Sequence, residues 1–208
     1  MKKSLRSLAA TLAATAVVAA GVGTAAPASA AEPGTRSLAK VLAADSGFDR
    51  NAQDFDVLER AVTFVLERRP ESPVGLLAQG NKRATVFLPT DQAFARLVNA
   101  LTDERPASER ATWQATRTVG AEALEGILLY HVIPGATKPK AGVLKARGTR
   151  VDVANGDSVR INVRRGHVFI GDRAPKAKNA EVVAFNINQG NKQIGHAVDR
   201  VLRPAPLN

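Results

Sequence analysis

Two hundred and eight residues, 45% of them hydrophobic and 23% charged, suffice for one globular domain with its own core and exclude a chain disordered throughout. The chain holds no cysteine, which removes disulfides, thiolate metal sites and cysteine catalysis together. Its formal net charge is +10, so a partner met through charge would be anionic.

Residues 1–30 read as an export signal. Lys2, Lys3 and Arg6 form a positive head, Leu8 to Val22 is an apolar, alanine-rich stretch, and Ala28-Ser29-Ala30 offers small residues for cleavage. Cleavage after Ala30 is expected to leave a secreted chain, soluble or loosely held at the cell surface. The run is short for a membrane anchor and nothing like it recurs, so no transmembrane segment is expected after signal removal.

Residues 31–36, turn-rich at Pro33-Gly34, form a short leader, and the domain is expected over 37–205. A small helix over 37–44 ends at Asp45-Ser46-Gly47. The next helix begins near Asp56, which can cap it, and carries Leu58, Ala61, Val62 and Val65 at the spacing of a buried stripe until Arg68-Arg69-Pro70 closes it. Thr85 to Leu88 is strand-like, Pro89 stops it for want of an N–H, and Thr90 can cap a helix that buries Phe94, Leu97, Val98 and Leu101. Between about 106 and 131 lie two more helices, broken at Gly120, the second burying Leu124, Ile127 and Leu128.

The period then changes from helical to alternating. Val151 and Val153 lead to Asn155-Gly156, a dipeptide suited to a tight hairpin turn, and Val159, Ile161 and Val163 alternate with Arg160, Asn162 and Arg164 up to a second turn at Arg165-Gly166. Val168 to Ile170 returns, and further strands are expected over 181–187 and 193–202. Helices followed by a strand meander give an α+β fold rather than a parallel α/β sheet. The tetrapeptide Gln-Gly-Asn-Lys occurs at 79–82 and again at 189–192, each time before a strand, but the flanks do not match and no repeat is inferred.

Three segments carry a family resemblance. TVFLPTDQAF, Thr85 to Phe94, is very similar to the first signature of the fasciclin (FAS1) domain family. LLYHVIPG, Leu128 to Gly135, resembles the family's tyrosine-histidine segment, and HAVDRVL, His196 to Leu202, resembles its second signature. The order is the family's, and the resemblance runs from about 37 to 204. It implies a single FAS1-like domain of the secreted bacterial type, with a helical N-terminal half packed on a strand meander or β-wedge. It also implies a non-enzymatic adhesion or interaction module. The chain departs from the family at Phe185-Asn186-Ile187, where an amide replaces the acid of an Asp-Ile pair linked in the family to integrin contact. That loss weakens any carry-over of the contact to Asn186 and Ile187.

The residues themselves point the same way. Tyr130 and His131 sit in an apolar run, where a histidine satisfied by backbone groups is the common case. The family's segment suggests a contact surface instead. In a strand the two would face opposite sides and form no proton relay. His131, His167 and His196 are far apart, no His-x-His, His-Glu-x-x-His or Gly-x-Ser-x-Gly pattern occurs in the domain, and no catalytic residue, metal or cofactor is expected. The paired acids Asp103-Glu104 and Glu122 with Glu125 read as solvated helix faces.

Residues 136–180 hold eleven Lys/Arg against three Asp. Alternation sets Arg160 and Arg164 opposite Val159, Ile161 and Val163, with Arg150 on the preceding strand and Arg165 in the turn, so a basic sheet face is expected. It would attract an anionic envelope polymer or an acidic extracellular or cell-surface protein. Nucleic acid is not expected, given export and 4% aromatic residues for base stacking. The alternative function is a carrier that holds a small or lipid-like molecule in an apolar cleft between helices and sheet.

Overall fold

Ser37, Thr90 and Ser108 each stand extended before a helix and cap it by accepting an N–H from its first turn, that of Lys40, Ala93 and Ala111 respectively. In the computed structural model, which describes residues 32–174 and 177–205, these caps open α1 (Leu38–Leu42), α3 (Asp91–Thr102) and α4 (Glu109–Thr116). The remaining helices are α2 (Asp56–Arg68), α5 (Ala121–Tyr130) and α6 (Lys140–Lys145), with 3-10 turns at Pro73–Ala78 and Arg117–Val119. The export segment expected over 1–30 lies outside the described residues.

α2 differs from the sequence reading at its start. Phe55 stands at the cap position without a side-chain bond, and Asp56 is already helical. The orphan N–H of Val57 is met from another helix, by Asp91 Oδ1 at 2.9 Å. Gly120, at φ +86°, separates α5 from the preceding turn as expected. The stripe of α3 stops at Val98, since Leu101 is 43% exposed. Glu125, read as solvated, is instead buried and paired with Arg69 Nε at 2.5 Å. α6 is absent from the sequence reading because only Val143 of its six residues is buried, too few to leave a stripe.

Seven strands, β1 (Ala84–Pro89), β2 (Val132–Pro134), β3 (Arg150–Asp152), β4 (Ser158–Arg164), β5 (His167–Gly171), β6 (Ala180–Ile187) and β7 (Gln193–Val198), form one sheet. Their order is β2-β1-β7-β6-β5-β4-β3, and only β1 and β7 run parallel. β7 ends four residues before the expected 202. Beyond it the N–H of Leu202 donates to the His131 ring rather than to a strand neighbour.

The two predicted hairpin turns differ. Arg165 (φ +51°) and Gly166 (φ +83°) form a two-residue turn between the facing residues Arg164 and His167. At Asn155-Gly156 only Gly156 has positive φ (+87°). Val153 accepts the N–H of Gly156 and donates to Asp157, giving a three-residue loop with a bulge rather than the tighter turn.

β1 divides the core. Ala84, Val86 and Leu88 point into a cluster with Leu58, Val65, Phe94 and Leu128 of the helices. Phe87, from the opposite face, joins Tyr130, Val159, Ile161, Ile170 and Val198. The stretch read as a leader is hydrogen-bonded to the domain, since Gly34 N donates to Gly190 O at 2.8 Å and Lys192 N to Gly34 O at 2.9 Å. No helix among the described residues is long and apolar enough to cross a membrane.

Candidate functional site

Register builds the basic face. Arg150 lies directly opposite Arg160 across β3 and β4, Arg164 lies opposite His167 across β4 and β5, and Val159 and Ile161 point the other way into the core. Arg150, Arg160, Arg164 and Arg165 are all exposed, and none is in an ion pair among the described residues. Facing like charges destabilise a strand pair, so nothing in the sheet itself calls for Arg150 opposite Arg160.

Next to Arg164 and Arg165 the surface dips into an open depression of about 680 Å³, also lined by Lys178 and Arg200. Its two acids already have partners. Glu181 holds His167 at 2.6 Å, and Asp199 holds Arg96 at 2.8 Å. The charge left for an incoming group is positive.

Tyr130 and His131 are placed elsewhere and otherwise than a strand reading implies. Tyr130 ends α5 and His131 follows as its C-terminal cap, so the pair sits on a helix end. Tyr130 is fully buried, with its hydroxyl donating to Ser158 O at 3.3 Å, and burial, ahead of Asp172 and Asp157, pushes its phenol up to about 12. His131 is 2% exposed. Its Nδ1–H donates to Ile127 O at 2.7 Å, and its Nε2 accepts the N–H of Leu202 at 2.9 Å. Burial lowers this imidazole to about 4, so it is neutral. In this fold neither ring presents a surface to a partner. The histidine thus ties the C-terminal segment at Leu202, while its backbone carbonyl accepts the N–H of Phe87 on β1.

Asn186 also has a structural duty, since its Oδ1 accepts the Lys140 N–H at the start of α6 (2.8 Å). An apolar groove of about 480 Å³ does exist, lined by Leu97, Leu101, Val119 and Ile127 among others. It lies among α3, α5 and the C-terminal segment, not between helices and sheet as the carrier reading expected.

The sequence reading missed a pocket of acids. The loop at 49–55 and the start of α2 meet the first turns of α3 and α4, and one carboxylate oxygen each from Asp54, Asp91 and Glu109 lie within 4.8 Å of one another. Asp49, Asp54 and Asp56 form a second such trio. Burial pushes Asp91 up to about 8 against the pull of the Val57 N–H, with Asp54 beside it pushing the same way. Burial raises Glu109 and Asp54 as well. The only local signal was three Asp residues at 49, 54 and 56. Asp91 and Glu109 join them through folding alone.

A family model described as Fasciclin domain matches residues 71–204. Among solved structures, a FAS1 domain pair from the insect cell adhesion molecule fasciclin I aligns with a TM-score of 0.58 at 14% identity. The alignment covers 82% of this chain and 51% of that one, so this chain spans about half the length of the pair, and at such identity the likeness is one of fold. No curated protein matches the chain.

Proposed function

This chain belongs to the fasciclin family, and we propose that it acts as a secreted, non-enzymatic adhesion or interaction module whose contact surface is the basic outer face of its sheet. On this reading residues 1–30 are removed on export, 31–36 lead in, and 37–205 are the working domain. The observation that carries the reading is the set of exposed arginines, Arg150, Arg160, Arg164 and Arg165, held on β3, β4 and the β4–β5 turn without ion-pair partners among the described residues. A planar guanidinium donates two parallel hydrogen bonds to a carboxylate, phosphate or sulfate, and several on a stiff sheet match an extended polyanion. The partner is therefore an anionic polymer of the cell envelope or an acidic protein surface, with Lys178 and Arg200 extending the field beside it.

The test is retention on a sulfated polysaccharide column. The chain is expected to bind at low salt and to release as the Debye length falls from about 10 Å at 0.1 M to about 3 Å at 1 M. Replacing the four arginines by Gln together is expected to weaken binding by about two to three orders of magnitude, at ~1 kcal/mol for each basic residue facing an anionic surface. The melting temperature should stay put, because these side chains are exposed. Retention indifferent both to salt and to the four substitutions would sink the reading.

A further inference from the structure

We propose that the acidic pocket between the 49–55 loop and the starts of α2, α3 and α4 is a calcium site, with Asp54, Asp91 and Glu109 as its core ligands and Asp49 and Asp56 flanking them. Calcium takes six to eight oxygens at roughly 2.4 Å, so any two of its ligand atoms are at most about 4.8 Å apart. The carboxylate oxygens of both trios meet that limit.

The pocket is built, not merely crowded. Asp91 and Asp56 are 2% and 3% exposed, yet Asp91 Oδ2, Asp56 Oδ2 and Asp54 Oδ1 are buried without a hydrogen-bond partner among the described residues. In Asp91 and Asp56 the second oxygen is tied to backbone. Asp91 Oδ1 accepts from Val57 N at 2.9 Å, and Asp56 Oδ1 accepts from Gly47 N at 3.0 Å. Glu109 Oε2 accepts from Asp49 N at 2.7 Å. Asp91 and Asp56 are thus oriented by one oxygen, with the other left over. A buried, unpartnered carboxylate oxygen is costly, and several together call for a proton or a counter-charge.

No side-chain cation supplies it. None of the five acids is in an ion pair among the described residues. The guanidiniums of Arg60 and Arg110 lie over the Phe48 ring instead, at 5.7 and 5.3 Å. The donors are all oxygen, which selects a hard cation, and a set of carboxylates drawn from a loop and three helix starts suits calcium better than magnesium. Magnesium keeps its waters and demands a strict octahedron. The bound ion would staple the 49–55 loop to α3 and α4, where the Asp91 and Gln92 N–H groups already bond the Asp54 and Ala52 carbonyls.

Trp113, the chain's one tryptophan, lies one helical turn after Glu109 on α4 and provides the probe. Terbium, which replaces calcium at oxygen sites, is titrated into the full chain while Trp113 is excited. Saturable sensitised emission is expected, displaced by calcium at concentrations where magnesium has no effect, together with a rise in melting temperature in calcium. Asp54→Asn is expected to weaken calcium about tenfold or more, because affinity follows the charge of the ligand set. The exposed Asp49→Asn gives a smaller loss in a variant whose folding is not in question. Wild-type protein that shows neither sensitised emission nor a calcium-dependent melting temperature overturns the proposal. So does an Asp54→Asn variant that binds as wild type does, or one that melts higher than wild type with calcium inert on both, which would mean a proton shared by Asp54 and Asp91 fills the place.

Discussion

His131→Phe is expected to destabilise the domain by about 2–5 kcal/mol although it keeps a ring in the space. The N–H of His131 bonds Leu128 O, so the Ile127 carbonyl at the end of α5 depends on Nδ1–H of the ring, and the Leu202 N–H depends on Nε2. Phenylalanine strands both groups in a buried place, at ~1–3 kcal/mol each. The ring also sets the acid limb of stability. Burial holds His131 near 4 in the fold against an ordinary value of 6.5, so between these limits the unfolded chain takes a proton that the folded chain refuses. Its contribution is whole above pH 6.5 and is lost as pH falls toward 4, at about 1.4 kcal/mol per pH unit. His196, lowered by burial and bonded to Lys138 O through Nε2, adds loss in the same direction. Urea melts from pH 7 to pH 4 should show a steeper acid decline in wild type than in His131→Phe, with the raised Asp91 pulling both curves the other way by the same amount. Equal stability at pH 7, or parallel declines, would show that the ring does neither job.

That histidine illustrates what the sequence makes legible. Its burial follows from an apolar run, whereas its partner Leu202 is 71 residues away. Local signals carried through to the structure. Thr90 caps α3, Gly120 breaks the helices, and Arg165-Gly166 turns β4 into β5. The basic face was readable for the same reason, because alternation fixes sidedness and the short turn fixes the register from Arg164 to His167. The parallel pairing of β1 with β7 was not readable, since no local pattern reports a partner more than a hundred residues on. Nor was the acid pocket. Asp54, Asp91 and Glu109 come from a loop and two helix starts that meet only when the core closes, and each alone looks like an ordinary loop or first-turn acid.

Gln193→Leu is expected to be about as damaging, at about 2–5 kcal/mol, from a side chain with no charge and no catalytic character. Gln193 is fully buried at the start of β7, where its Oε1 accepts the Leu38 N–H at 2.8 Å and its Nε2 donates to Leu76 O at 2.7 Å and Gln79 O at 3.0 Å. One amide thus satisfies the start of α1 and the end of the 3-10 turn at Pro73–Ala78. Leucine matches its bulk, leaves the Leu38 N–H unbonded at ~1–3 kcal/mol, and removes one of two bonds from each carbonyl at ~0.5–1.5 kcal/mol, since Leu76 O still accepts the Gln79 N–H and Gln79 O the Lys82 N–H. Glutamate would do no better, because its carboxylate has nothing to donate to the two carbonyls. The second Gln-Gly-Asn-Lys, 189–192, leads straight into this residue, and the first, 79–82, supplies the Gln79 carbonyl it bonds. Gly80 of the first copy has Thr35 O only 1.8 Å from where a Cβ would stand, so the chain beside Gln193 is packed backbone to backbone. The loss should fall unevenly. α1 and its surroundings belong to the helical cluster, whereas β3 to β5 rest on the other cluster around Val159, Ile161 and Ile170. Amide exchange in Gln193→Leu should therefore quicken first at Leu38 and Leu42, with the β4–β5 ladder protected until global unfolding. A variant within about 1 kcal/mol of wild type, or one whose β4–β5 amides exchange before those of α1, would show that this amide is not what joins the N-terminal helix to the sheet.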